Sequence, residues 1–257
     1  METIVGRTLS VHKEHEVLLK LEAAGLNNDL AQRVIDSKGN DLAAKVVRLI
    51  SNGGFEATTG QKRAREIMGY NFFGVEEAIR HFGMNPTRQQ TTVLSEIPFS
   101  EVMLEQHKNS HILVAMFPLS ILEIRGKVVQ DQRLFYEQDW YNKQAFAKEK
   151  GETGWQLVRK TPVNDSTSKT WQEQQALLGN NEETPTARVM VYATIGYFLS
   201  TGERLFEEVY VRCSDLDSGG SRVLVGGFGH VGLSFNDVWD DGRASGLGLA
   251  ASLKFQK

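Results

Sequence analysis

The strongest local match to a chemical motif is the run Gly227-Phe-Gly-His-Val-Gly232, which fits the G-x-G-x-x-G pattern of dinucleotide-binding loops. Such a loop binds a pyrophosphate only where a helix begins at its glycines, because the first amides of that helix then face the phosphates. Here Gly242, Gly246 and Gly248 follow without a helical apolar period, and no ribose-binding acid stands about twenty residues further on. We therefore expect these glycines to form a turn.

Two short patterns could hold a metal ion. His12 and His15 stand three residues apart on a predicted helix, but no third ligand lies near them in sequence, so we expect a solvated helix face. The run from Asp215 to Asp217 resembles the start of a calcium loop. The position that must carry a bidentate glutamate is Gly226, so a hairpin turn is the better interpretation. We predict neither a metal nor a cofactor.

The sequence has one cysteine, Cys213, that could serve as a nucleophile. A single cysteine excludes an intrachain disulfide. It lies in the alternating run Glu208–Ser214, and this pattern favours a half-buried structural thiol over a nucleophile. No local Ser/His/Asp set or pair of glutamates accompanies it, although such sets can assemble from distant residues. We expect a protein without enzymatic activity.

The charge pattern argues against nucleic acid and membrane surfaces as partners. The formal net charge is -3 at pH 7, and the one basic cluster, Lys62–Arg65, fits a solvated helix face. No apolar run approaches membrane-spanning length, and Met1–Arg7 lacks the apolar core of a signal peptide. The default expectation is a cytoplasmic protein, with surface display by another route left open.

The first hundred residues show helical apolar spacing. Three short helices, which should pack as a bundle over residues 1–54, are predicted at Glu14–Ala24, Asn28–Ser37 and Asp41–Ser51. Four more, punctuated by Gly83 and Pro86, are predicted at Gln61–Met68, Val75–Phe82, Thr87–Leu94 and Ser100–His107. Together they predict a helical N-terminal region over residues 1–107.

The pattern changes after residue 107, where strands join the helices. The predicted strands are His111–Phe117, Ile121–Arg125, Trp155–Arg159, Leu205–Ser214 and Arg222–Val225. The predicted helices are Trp140–Lys150, Ser168–Leu178 and Thr186–Ser200. Because most strands come late and are joined by short connections, we expect an α+β domain with short antiparallel strands over residues 108–257.

A set of C-terminal residues resembles the variable proteins of diversity-generating retroelements. The matching residues are Tyr210-Val-Arg212, Val223-Leu-Val-Gly226, Gly232-Leu233, Trp239-Asp-Asp-x-Arg243 and Leu247–Phe255. The runs that begin at Trp171, Ala187 and Gly202 resemble the invariant part of the same domain. The resemblance covers roughly residues 110–257. It implies a C-type-lectin-like fold, related to formylglycine-generating enzymes, that binds a ligand without catalysis.

The resemblance also implies which residues contact the ligand. In such systems miscopied adenines turn asparagine codons into any NNY codon, and those codons encode no Lys, Glu, Gln, Met or Trp. Within the implied variable segment, 222–246, the positions expected to bind are Phe228, Gly229, His230, Val231, Ser234, Asn236, Asp237, Val238, Asp241, Gly242, Ala244 and Ser245. The expected scaffold residues are Trp239, which should be buried, and Asp240 and Arg243, which should pair. The partner would be a protein or a glycan, and the oligomeric state stays open.

Two rival functions remain open at this stage. One is a metal-dependent oxidase of the same fold; its copper form needs a cysteine pair, and its iron form would have to use His111 and His230, the two histidines of the C-terminal half. The other is a DNA-binding regulator in which Thr87–Gln90 opens a recognition helix. DNA contact would require more positive charge nearby, so no nucleic-acid partner is expected.

Overall fold

The computed structural model describes residues 10–37, 46, 59–128 and 133–254. The chain divides after Glu56 into two units, residues 1–56 and 57–257. In the first unit, helix α1 spans Val11–Ala23 and helix α2 spans Asn28–Ile35. The N-cap of α2 is Asn27, whose Oδ1 accepts from the Leu30 amide at 3.0 Å. The third predicted helix, Asp41–Ser51, lies outside the described residues except for Val46, which is helical.

Helices of the second unit begin at capping side chains and end at glycines where the sequence provides them. Thr186 caps the longest, and Gly202, in the left-handed region at φ 78°, ends it. The eight helices in the described part of the second unit are α3 Gln61–Met68, α4 Val75–Phe82, α5 Arg88–Val93, α6 Glu101–His107, α7 Ile121–Lys127, α8 Ala145–Lys148, α9 Trp171–Gln175 and α10 Ala187–Thr201. Short 3-10 turns cover Gly69–Asn71 and Trp140–Lys143.

The strands of the described residues form three sheets, so the second unit is α+β as predicted. They are β1 Thr59–Gly60, β2 Phe72–Phe73, β3 Glu96–Ile97, β4 His111–Met116, β5 Gly154–Arg159, β6 Glu182–Glu183, β7 Tyr210–Leu216, β8 Arg222–Gly229, β9 Gly232–Val238, β10 Leu247–Leu249 and β11 Ser252–Leu253. A five-stranded sheet has the order β2-β4-β5-β11-β6, and a four-stranded sheet the order β10-β7-β8-β9. The β2–β4 and β7–β10 pairs are parallel, and the remaining pairs are antiparallel.

Helix α10 lies at the centre of the second unit. Its residues are apolar on nearly every side, which is typical of a helix enclosed by other elements. It contacts both larger sheets as well as α4, α7 and α8. Gly196 admits close packing, because a Cβ there would lie 3.0 Å from the Phe73 ring. The helix therefore joins the two sheets through one hydrophobic core.

The structure places the boundary between the units after Glu56, whereas the sequence placed it at residue 107. Residues 59–107 pack into the same core as the C-terminal half: β2 pairs with β4, and the Trp155 indole donates to the Leu94 carbonyl at 3.3 Å. The sequence-based prediction separated these segments, because contacts between residues far apart in the chain leave no local sequence pattern.

Several predicted elements differ from those observed. The predicted strand Ile121–Arg125 lies in helix α7, because Ser120 and Glu123 form a capping box in which each side chain accepts from the other's amide. The predicted helix Trp140–Lys150 is a 3-10 turn followed by the single turn of α8. The last predicted strand, Arg222–Val225, continues to Gly229.

We predict that His111 makes the protein sensitive to acid. The side chain is 3 % exposed, and burial is the main reason why its pKa falls from 6.5 to about 3. The nearby His107, Arg159 and Lys160 act in the same direction. The unfolded chain therefore takes up this proton first as the pH drops, so stability is lost from about pH 6.5 downward.

The measurement is urea denaturation between about pH 7 and pH 4.5. His111→Gln should flatten the pH dependence of the free energy of unfolding. His12→Gln, at an exposed position of α1, is the control and should leave the dependence unchanged. An unchanged pH profile in His111→Gln would contradict the assignment.

Candidate ligand-binding surface

The implied variable segment folds as a β-hairpin followed by a loop. Strands β8 and β9 turn at His230 and Val231, and residues 239–246 then lead to β10. Gly227 and Gly232 adopt the left-handed region, with φ of 57° and 108°. A Cβ at Gly232 would lie 2.4 Å from the main-chain carbon of Phe135. The glycine pattern is therefore a turn, as predicted, and no helix begins there.

The four-stranded sheet has one face on the core and one face under the loop. Val211, Cys213, Val225 and Phe235 point into the hydrophobic core. The opposite face, which we call the outer face, carries the side chains in register with Arg212, because neighbouring strands share a face at paired positions. Its paired positions are Arg212, Leu224 and Asn236, then Arg222 and Val238.

Arg212 is the central residue of the outer face. Its side chain is 0 % exposed, yet among the described residues no carboxylate lies within ion-pair distance. Nη1 donates to the Lys169 carbonyl at 2.9 Å and to Gln174 Oε1 at 2.8 Å. Nη2 donates to the carbonyls of Trp239 and Gly242. Burial lowers the pKa of this guanidinium, which remains the donor for four acceptors.

Gln174 and Ser166 extend the buried polar network beneath the loop. The Gln174 amide donates to the Ser166 carbonyl at 2.7 Å and to the Leu247 carbonyl at 3.3 Å. Ser166 Oγ accepts from the Leu249 amide at 3.0 Å. Both side chains are fully buried. Residues 166–175, strand β7 and strand β10 are thus joined by hydrogen bonds in which each buried partner depends on the others.

The main chain of the loop 239–246 is held from several sides. The amides of Trp171, Ser168 and Tyr210 donate to the carbonyls of Asp240, Ala244 and Gly246 at 2.8–2.9 Å. Arg212 binds two further loop carbonyls. The loop side chains take little part in these contacts, since Trp239, Asp240, Asp241, Arg243, Ala244 and Ser245 are all exposed. The shape of the loop is therefore set mainly by its backbone.

The predicted scaffold roles in this loop were wrong. Trp239 was expected in the core, but its side chain is 61 % exposed, because the loop places only the tryptophan carbonyl beside Arg212. Asp240 does not pair with Arg243. It accepts from Arg222 Nε at 2.9 Å, and Arg243 pairs with Glu173 at 3.0 Å.

The predicted contact residues fall into three groups by exposure. Those with exposed side chains are His230, Val231, Asn236, Asp237, Asp241, Ala244 and Ser245. The half-buried ones are Gly229, Val238 and Gly242. Phe228 and Ser234 are buried, which corrects their assignment as contacts. A bulge between Gly226 and Gly229 breaks the alternation of β8, and Phe228 packs on Phe198 with ring centroids 5.4 Å apart.

The exposed positions form two groups rather than one surface. His230 and Val231 lie at the hairpin turn, and residues 239–246 follow the opposite end of β9. At about 3.3 Å per residue, Gly232–Val238 separates these ends by about 20 Å. We call the larger group the loop patch, defined by the exposed side chains of Asn236, Asp237, Trp239, Asp241, Ala244 and Ser245.

A cleft of about 390 Å³ lies at the N-terminal end of α10, where the sequence indicated no site. Phe146, Glu149, Gln156, Arg188 and Asp215 are among its lining residues. Burial is the main cause of two pKa shifts in this cleft: it raises the pKa of Asp215 and lowers the pKa of Arg188. The Asp215 carboxylate accepts from the Ala187 amide. The lining residues come from four separate segments, so no local motif marks them. The cleft has the size and polar groups to admit a small molecule.

The other residues singled out in the sequence have structural surroundings. Asp217 accepts from the Gly219 and Ser221 amides at 2.8 Å in a hairpin turn, as predicted. Cys213 is fully buried, and burial raises the pKa of its thiol. His111 lies in β4 of the five-stranded sheet, whereas His230 lies in the turn between β8 and β9 of the four-stranded sheet. Within the described residues no cluster of three histidine, cysteine or acidic side chains could hold a metal, and no helix combines the length and apolarity needed to cross a membrane.

The chain matches no protein-family model, no curated protein and no solved structure. A functional assignment therefore depends on the residues themselves and on their arrangement around Arg212. The feature with the clearest functional meaning is the loop patch, since it exposes varied side chains on a backbone held by buried donors.

Phe228 is buried and Trp239 is exposed, the reverse of what the sequence predicted, and this gives a first prediction for the region. Phe228→Ala should lower the free energy of unfolding by about 3–5 kcal/mol, because it leaves a cavity in the core. Trp239→Ala should lower it by less than about 1 kcal/mol, because the indole is mostly in solvent. Urea denaturation of both variants is the measurement. A larger loss for Trp239→Ala than for Phe228→Ala would contradict the burial described above.

The second prediction concerns Arg212. Arg212→Met keeps an unbranched side chain but removes the donor for four acceptors, so stability should fall by on the order of 3 kcal/mol. Arg243→Met is the matched control, since Arg243 is exposed and belongs to the same loop. Its effect in the same denaturation assay should be small. Equal effects of the two substitutions would mean that the buried guanidinium does not hold the loop.

Proposed function

We propose that this protein is a non-enzymatic ligand-binding protein that presents a substitution-tolerant surface on an α+β scaffold. One observation carries the proposal: the loop 239–246 is held through five of its own carbonyls, while its side chains point into solvent. A binding surface that accepts many side chains needs this arrangement, because its shape must not depend on which side chains it carries.

The energetics of the loop patch agree with this role. Substitutions at exposed positions away from caps and networks usually change stability by no more than about 0.5 kcal/mol. Binding, by contrast, depends on a few side chains at the centre of an interface. Exchanges at Asn236, Asp241, Ala244 or Ser245 can therefore alter what is bound and leave the fold intact.

We further propose that the second unit is a C-type-lectin-like domain of the kind found in variable proteins of diversity-generating retroelements. The support is that three of the runs carrying the resemblance meet at one place. Gln174 of the first run accepts from Arg212 of the second, and Arg212 donates to the carbonyl of Trp239, which opens the third. The matching residues are thus those that hold the loop.

The structure narrows the proposed contact surface. Phe228 and Ser234 are left out because they are buried, and the separation along β9 assigns His230 and Val231 to a second contact point. The loop patch is then the principal binding surface, at the end of the four-stranded sheet where β9 leads into the loop 239–246. A protein or glycan would be its partner.

A library test addresses the tolerance of this surface. The codons of Asn236, Asp237, Asp241, Ala244 and Ser245 would be randomised together and the protein displayed on yeast. Most members should resist a protease that cleaves unfolded chains, and selection against streptavidin should yield binders that differ from one another at these positions. The matched control randomises Leu224, Val225, Phe228, Leu233 and Phe235, all of them buried, and should lose protease resistance. Similar losses in both libraries would refute the proposal.

The retroelement assignment has its own test in the genome that encodes the chain. We expect a second, near-identical copy of the codons for residues 222–255 close to a reverse-transcriptase gene. The two copies should differ mainly where the second carries adenine. Differences spread evenly over all four bases would remove the support for this mechanism, and the library experiment would still test ligand binding by itself.

A further inference from the structure

The main chain and the side chain of Trp239 have different surroundings. Its carbonyl accepts from Arg212 Nη2 at 3.3 Å and from the Gly242 amide at 3.0 Å, so the backbone takes part in the buried network. Its indole is 61 % exposed, whereas Trp155 is buried and Trp140 and Trp171 are half-buried. Little of the apolar area of this side chain therefore stabilises the fold. Exposed tryptophans held on a rigid backbone are typical of binding hot spots.

The exposed charges around Trp239 are negative once the surface ion pairs are assigned, while the cationic Arg212 is buried beneath the loop. Asp240 is paired with Arg222, and Arg243 is paired with Glu173. Asp237 and Asp241 are exposed, and among the described residues neither carboxylate lies within 4.0 Å of a cationic group. Both stand two residues from Trp239, so their Cα atoms lie within about 7 Å of its own. The loop patch thus combines one exposed indole with two unpaired carboxylates.

The same chemistry occurs inside the molecule, next to the loop patch. The Arg222 guanidinium lies over the Trp171 ring at 4.1 Å from the centroid, and its Nε donates to Asp240 at 2.9 Å. Here an arginine is bound by an aromatic face and a carboxylate together. Tryptophan attracts cations most strongly among the aromatic side chains, through the negative face of the ring.

We propose that Trp239 is a constant anchor of the loop patch and that it receives a lysine or arginine side chain of a protein partner. Asp237 and Asp241 supply the opposing charge. The inference rests on the proposed function, because it assigns chemistry to the same surface. It also follows that Trp239 contacts each partner in turn, since an NNY codon cannot encode tryptophan and the residue is not among those exchanged.

The probe for this inference is a capped hexa-arginine peptide, with capped hexaglutamate as its charge-reversed counterpart. Binding would be followed through the indole N–H signals in nuclear magnetic resonance spectra, where Trp239→Phe identifies the signal of Trp239. The arginine peptide should shift that signal saturably. The affinity should fall at least tenfold in Trp239→Ala and in the double variant Asp237→Asn, Asp241→Asn, and it should weaken as salt is added.

Two matched variants control for general aromatic and charge effects. Tyr70→Ala removes an aromatic side chain that is 68 % exposed outside the loop patch, and the double variant Glu152→Gln, Glu207→Gln removes two exposed carboxylates elsewhere. Both should bind the arginine peptide like the parent protein.

Three results would overturn the inference. They are no shift of the Trp239 signal with hexa-arginine, equal binding of hexaglutamate, and a shift caused by the neutral oligosaccharide maltohexaose in place of the peptide. The last result would identify the indole as a stacking platform for sugars. None of these results would affect the tolerance of the loop patch to substitution, which the library measures independently, so failure of this inference and failure of the proposed function are distinguishable.

Discussion

The buried guanidinium of Arg212 is the interaction on which the arrangement of the loop depends. Burying a charge is costly unless it is hydrogen-bonded. The Nε of Arg212 has no partner among the described residues. Both terminal nitrogens are bound, and their acceptors are three carbonyls and one amide oxygen rather than a carboxylate. They come from residues 169–174 and from the loop 239–246, while the donor comes from β7. Because any missing acceptor would leave a buried donor unsatisfied, the three segments are stable mainly together.

This arrangement separates what stabilises the second unit from what it can recognise. The hydrophobic core lies between the sheets around α10, and the buried polar network holds the loop on the outer face. Strand β9 lies at the edge of the four-stranded sheet, and the side chain of Gln138 hydrogen-bonds to this edge. Its amide nitrogen donates to the Phe235 carbonyl and its amide oxygen accepts from the Phe235 amide, both at 2.9 Å. An uncovered edge would be prone to pair with other chains. The loop patch is therefore exposed on a backbone that its side chains do not have to stabilise.

The sequence was sufficient where structure is decided locally. Helices α3 and α4 begin and end at the predicted residues, because their apolar spacing is helical and glycines end them. It was insufficient where distant residues decide. The capping box at Ser120 converts an apolar run into a helix, β2 joins the five-stranded sheet through β4, and the cleft at α10 draws on four segments. The misassignment of Phe228 and Trp239 has the same origin: a bulge between Gly226 and Gly229 breaks the alternation of β8 and leaves Phe228 buried, and only the carbonyl of the tryptophan faces Arg212.

Ligand binding by a substitution-tolerant surface requires that the loop keeps its shape whatever its exposed side chains are. Amide hydrogen exchange tests this in a variant with Asp241, Ala244 and Ser245 all replaced by tyrosine. The Ser168 and Trp171 amides report on the loop, because they donate to the carbonyls of Ala244 and Asp240. We expect both amides to remain as protected as in the parent protein. Exchange of these amides at the rate of an unstructured chain, with the core still protected, would contradict this expectation.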